Sequence, residues 1–132
     1  MLSLNGGKKV ITIDPAPASM PEHPLVEYVI GLSTEQRVID LIKEKVKDGS
    51  VMVVLDSDHS TKNVLAELNA YKDIVTTGQY IVVEDCYTRR ITPYLPYYAV
   101  HKFLKDNKGF KLYDLEKKYI FAVTRGGWIR KI

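Results

Sequence analysis

Residues 51–59 read Val51-Met52-Val53-Val54-Leu55-Asp56-Ser57-Asp58-His59: five apolar residues in a row, then two acids around a serine, then a histidine. A second run, Tyr80-Ile81-Val82-Val83, stops the same way on Glu84-Asp85. Short apolar runs without alternation suit strands covered on both faces, as in a parallel α/β sheet. Ligands bind such sheets outside the carboxyl ends of the strands. Acids gathered at that edge repel one another unless something positive sits among them. The two runs therefore predict a fold and a site together.

Outward from these runs, the chain alternates strand and helix signals. Lys8 to Asp14 carries β-branched alternation and ends on an acid before Pro15, which predicts a strand closed by a proline-rich loop. Val26 to Ile30 predicts a second strand, ending at Gly31. Ser33 to Gln36 has the spacing of a capping box, with Val38, Leu41, Ile42 and Val46 as the apolar face of the helix behind it. Ser60 is placed to cap another helix whose face is Val64, Leu68, Tyr71 and Val75, and a third helix from about Tyr97 to Asn107 buries Val100, Phe103 and Leu104. Phe110 to Leu115 and Tyr119 to Thr124 predict two closing strands, and a last strand-like piece, Trp128 to Ile132, follows Gly126-Gly127. The order β-β-α-β-α-β-α-β-β gives a mostly parallel sheet with right-handed crossovers and an antiparallel C-terminal end.

Bulk composition sets bounds. A chain of 132 residues with 45% hydrophobic content is one domain with a real core. Its net charge of +3 is spread over helices and termini, so no nucleic-acid footprint is expected. The single cysteine, Cys86, cannot form a disulfide within the chain, which points to a reducing, cytoplasmic setting; beside a strand it reads as a small buried hydrophobe. No run reaches the roughly 18 apolar residues of a membrane span, and the start lacks a signal-peptide pattern.

The acids suggest chemistry. Asp58, Glu84 and Asp85 offer hard oxygen ligands at the ends of adjacent strands, a set that suits Mg²⁺. The opposing reading is that Asp58 caps the helix near Ser60 while Glu84 and Asp85 are solvated strand ends. His59 has the side chain best suited to general-base work near neutrality, or it bonds a carboxylate and shapes the pocket. His23 and His101 have no partner at metal spacing and read as surface residues.

Several segments, ITIDP (11–15), LDSDHS (55–60), VLAELNAY (64–71), TTGQYIVVED (76–85), AVHKFL (99–104) and RGGWIRK (125–131), together resemble the cephalosporin hydroxylase and rhamnosyl O-methyltransferase family. The resemblance covers nearly the whole chain. It implies the Rossmann-like class I fold that binds S-adenosylmethionine, here without the first strand and its glycine turn. That strand lies centrally in the family's sheet, so its loss leaves a gap between the strands ending at Asp14 and Asp56. Either those strands pair directly, a partner strand or second copy fills the gap, or the chain is part of a longer product.

By the same resemblance, Asp14 would accept from the cofactor ribose, Gly31, Leu32 and Ser33 would line the adenine pocket, and Asp56 would lie near the transferred methyl. The implied reaction is Mg²⁺-assisted methyl transfer to a hydroxyl of a sugar, glycolipid or small natural product. Arg89, Arg90, Tyr94, Tyr97 and Tyr98 lie on a loop that departs from the family pattern and either grips the acceptor or forms an interface. Trp128 reads as edge packing. The rival expectation is a non-catalytic, truncated subunit that works by association through its unpaired strand edges.

Overall fold

The computed structural model describes residues 9–16, 20, 22–86, 95–113 and 126–132. The predicted Tyr119 to Thr124 strand and Arg89, Arg90 and Tyr94 lie outside these residues. The elements, in order, are β1 (Val10–Asp14), β2 (Val26–Ile30), α1 (Gln36–Val46), β3 (Val53–Leu55), α2 (Thr61–Tyr71), β4 (Tyr80–Val83), α3 (Pro96–Asp106), β5 (Phe110–Leu112) and β6 (Trp128–Lys131). The predicted α/β alternation is therefore present, with elements within a few residues of their expected bounds. Among the described residues no helix is long and apolar enough to cross a membrane.

The strands form two sheets, not one. β1 and β2 pair in parallel, and β3, β4, β6 and β5 form a four-stranded sheet in that order. β3 and β4 are parallel, while β6 runs antiparallel to both β4 and β5, so the antiparallel end is confirmed. Of the three possibilities for the central gap, direct pairing of β1 with β3 is not realised.

Side chains join what the backbone leaves apart. Leu55, Ile81, Val83 and Ile129 pack with Val64, Leu68, Ala99, Val100 and Phe103 in one cluster. Val29 packs with Val38, Ile39, Ile42 and Tyr71 in another, with Ile11, Ile13 and Val53 against it. Helix α2 contributes to both, through Val64 and Leu68 on one side and Tyr71 on the other. In α1 the buried residues are Val38, Ile39 and Ile42; Leu41, expected inside, is exposed. At about 100° per residue, Ile39 lies about 60° around the helix from Ile42 and Leu41 about 100° on the opposite side, so the face packed with Val29 takes Ile39 and leaves Leu41 out.

The capping box of α1 does not form. Glu35 is the N-cap and makes no side-chain cap hydrogen bond, its carboxylate accepting from Arg37 Nε instead, and the Ser33 hydroxyl donates to Glu67. In contrast, Ser60 caps α2 as expected, its Oγ accepting from the Asn63 N–H at 3.3 Å. Gly31 is required where it stands: its φ is +153°, and a Cβ there would meet Val38 Cγ2 at 2.7 Å. That close approach seats the start of α1 on the end of β2.

Phe103 is fully buried at the centre of the larger cluster, whereas Val54 on β3 is 55% exposed. Phe103→Ala is expected to cost about 3–5 kcal/mol in urea denaturation, and Val54→Thr at most about 0.5 kcal/mol. Equal losses would mean that the helix-covered face is not the core.

Candidate active site

The carboxyl ends of β3 and β4 are held side by side, because Val54 aligns with Val82, Leu55 with Val83, and the Glu84 N–H extends the ladder to the Leu55 carbonyl at 2.9 Å. Each apolar run thus delivers its acids to one sheet edge. Immediately beyond, Asp85 takes a left-handed backbone with φ of 53°. Asp tolerates that region better than most side chains, and the turn it makes aims its carboxylate back across the edge.

His59 lies between the two strand ends. Its Nε2 is 3.3 Å from Asp56 Oδ1, and its Nδ1 is 3.3 Å from Asp85 Oδ2. The ring therefore faces a carboxylate at each nitrogen, one from the β3 loop and one from the β4 turn. Glu84 lies among the same charges. Burial, then the negative charges of Asp56 and Asp85, push its carboxyl above the ordinary range, and the nearby His59 partly offsets them. Cys86 is buried behind this edge, and burial with the Asp85 and Glu84 charges pushes its thiol up to about 12. The expectation of an inert, buried cysteine holds.

Asp58 is turned away from this group. Its Oδ1 accepts from the Ser60 N–H at 2.9 Å and its Oδ2 from the Ser60 hydroxyl at 3.1 Å. Among the described residues no group of three His, Cys, Asp or Glu side chains is placed to hold a metal ion. The expected Asp58–Glu84–Asp85 set for Mg²⁺ is thus not assembled among the described residues. The reason is local: in a tight turn before a helix, an Asp two residues ahead of the cap bonds the cap more cheaply than it reaches outward. Asp56 is the β3-loop acid beside His59, and its charge acts on Glu84.

The other half of the predicted site lies at the ends of β1 and β2. Asp14 pairs with Ile30 in register, and its carbonyl accepts from the Gly31 N–H at 3.1 Å. Its carboxylate is exposed, with Oδ1 accepting from the Ala16 N–H at 2.8 Å. This leaves an acid beside a backbone corner, an acceptor suited to the hydroxyl hydrogens of a ribose. Ser33 instead donates its hydroxyl to Glu67 Oε1 at 2.5 Å.

In the sequence Glu67 reads only as part of the α2 helix. It is 1% exposed, and its Oε1 also accepts from the Ser57 hydroxyl at 2.6 Å. The available signal was its place on α2: position 67 precedes Leu68 and lies four residues before Tyr71, on the same buried face. His23 and His101 are exposed, and Tyr97 stacks on His101 with centroids 4.0 Å apart, so these side chains engage local partners. Trp128 packs edge-on against Tyr80 at 5.8 Å, as expected of edge packing.

A family model described as Rhamnosyl O-methyltransferase/CmcI matches residues 1–132. The rhamnosyl O-methyltransferase of Mycobacterium leprae is 29% identical over 144 aligned residues, which take in 99% of this chain and 63% of that protein. That of Mycobacterium tuberculosis strain H37Rv is 32% identical over 83 residues, 58% of this chain and 34% of that protein. The chain thus spans less than two thirds of the length of these curated relatives. No solved structure matches it.

Glu84 yields a pH signature. Its folded-state pKa is raised, so its contribution to stability is complete below the unfolded value near 4.5 and is lost as pH rises through the higher folded value. Glu84→Gln is therefore expected to gain stability relative to the parent chain as pH rises from 4 towards 7, read as urea midpoints. A difference that stays constant or runs the other way would contradict the crowding of Glu84 by burial and like charge.

Proposed function

Since the chain belongs to the rhamnosyl O-methyltransferase/CmcI family, we propose that its site serves S-adenosylmethionine-dependent methyl transfer to a sugar hydroxyl, with a rhamnosyl group as the leading acceptor. The acceptor follows the names of its relatives. The observation that carries the reading is His59 held between Asp56 and Asp85 at the carboxyl ends of adjacent parallel strands.

When bound, S-adenosylmethionine supplies an electrophilic methyl group on a sulfonium. The residues of the chain do the rest. Asp14, exposed at the end of β1 beside Gly31, is the proposed anchor for the ribose hydroxyls. Asp56 lies on the acceptor side of that anchor in this reading. Attack by the acceptor oxygen forms the O–CH₃ bond while the S–CH₃ bond breaks, and the hydroxyl proton must leave. His59 takes it at Nε2, exchanging its contact with the exposed Asp56 for the acceptor hydroxyl, while Nδ1 stays on Asp85 and the carboxylates stabilise the resulting imidazolium.

Association completes the proposal. β1 and β3 each have a hydrogen-bonded neighbour on one side only among the described residues. A partner strand or a second copy of the chain would pair at those edges. Light scattering on the eluting protein is expected to give a mass well above the 15.0 kDa of one chain; a monomer at all concentrations would rule out self-association.

Isothermal titration with S-adenosylhomocysteine tests the cofactor half, and transfer of labelled methyl to methyl rhamnoside tests the chemistry. Asp14→Ala is expected to abolish or strongly weaken binding. His59→Ala should leave binding intact while lowering transfer by about 10²-fold or more. Absence of binding to the parent chain would overturn the reading in favour of a non-catalytic subunit.

A further inference from the structure

We propose that Glu67 is a positioning residue, whose buried carboxylate fixes the loop after β2 against the loop after β3. Ser33, in the first loop, and Ser57, in the second, donate their hydroxyls to the same atom, Oε1, at 2.5 and 2.6 Å. One turn further along α2, the Tyr71 hydroxyl donates to the Ser33 carbonyl at 2.6 Å. α2 thus grips one residue of the β2–α1 loop twice, from positions four apart. On the other side, the Asn63 amide donates to Ser57 Oγ at 3.0 Å and to the Asp58 carbonyl at 3.2 Å, so the β3–α2 loop is held by the same helix.

The placement matters because these loops end strands of different sheets. No ladder joins β1–β2 to β3–β4, so backbone hydrogen bonding does not set the distance between their ends. Burying a carboxylate is expensive, and an apolar residue of similar volume would pack α2 at less cost. What a carboxylate adds is a strong acceptor that binds two hydroxyls at one point. Its second oxygen, Oε2, is buried and has no hydrogen-bond partner among the described residues, so both gripping bonds fall on Oε1. Ser57 adjoins Asp56, and Ser33 lies two residues beyond Gly31. Glu67 therefore registers the proposed cofactor side of the site against the Asp56–His59–Asp85 side. The naming of those two sides rests on the function proposed above; the coupling of the loops does not.

Two measurements on the full chain test this. In thermal unfolding, Ser33→Ala and Ser57→Ala each leave Oε1 one donor, and the double variant leaves it none, so the double loss of Tm is expected to exceed the sum of the single losses by several degrees. In a Glu67→Met background the same serine changes are expected to add. Additive losses in the parent chain would overturn the coupling, and this cycle decides alone if Glu67→Met does not fold. The second measurement is S-adenosylhomocysteine affinity well below each Tm. Glu67→Gln keeps an acceptor at Oε1 and is expected to bind like the parent, whereas Glu67→Met is expected to bind roughly 10-fold or more weakly. Folded Glu67→Met with parent-like affinity would overturn the positioning role. If the parent itself does not bind, the functional reading fails while the serine cycle still decides the coupling.

Discussion

The absence of a backbone ladder between β1 and β3 is the constraint around which the described structure is organised. Sheets normally hold their order through continuous hydrogen bonding, and here continuity passes through side chains instead. α2 supplies it, placing Val64 and Leu68 in the cluster beneath the four-stranded sheet and Tyr71 in the cluster beneath the two-stranded one. Burial of apolar area is strong but non-directional, so it keeps two sheets together without fixing their offset. The polar contacts of Glu67 and Tyr71 to Ser33 are directional and add the missing specification.

At the far end of the larger sheet the problem is electrostatic. Two strands that each finish in acids bring Asp56, Glu84 and Asp85 to one edge, and their mutual repulsion opposes the pairing that places them there. His59 relieves this by bridging Asp56 and Asp85, and the left-handed turn at Asp85 sets up the bridge. Glu84, half-buried just below, bears the remaining cost as a raised pKa. His59 is thereby held at both ring nitrogens by its neighbours, which is the orientation the proposed general-base role needs.

Much of this was legible in the sequence, and the misses share a cause. The acid-tipped runs at 51–59 and 80–85, the helical spacing of Val64, Leu68 and Tyr71, and the Ser60 cap are local signals, and each is realised. Ser33 was misread because its partner is 34 residues away: nothing in Ser33 to Gln36 reveals that Glu67 competes for the hydroxyl. Asp58 and Asp56 were separated by geometry that spacing does not encode, since a turn of a few residues decides which acid meets the helix cap and which meets His59. The expected single sheet with a central gap is two sheets among the described residues, because strand pairing across a gap depends on chain elements far apart in sequence.

The position of β6 has a consequence for assembly in time. It follows all the other described strands in sequence, yet it lies between β4 and β5 and hydrogen-bonds to both. β4 and β5 both precede in sequence the strand that joins them, so neither has that neighbour until β6 is in place. Ile129, fully buried in the larger cluster, then closes sheet and core in one event. A lesion in β6 would therefore release β5 and bare the edge of β4 together, while leaving the β3–β4 ladder that carries the acids its own hydrogen bonds.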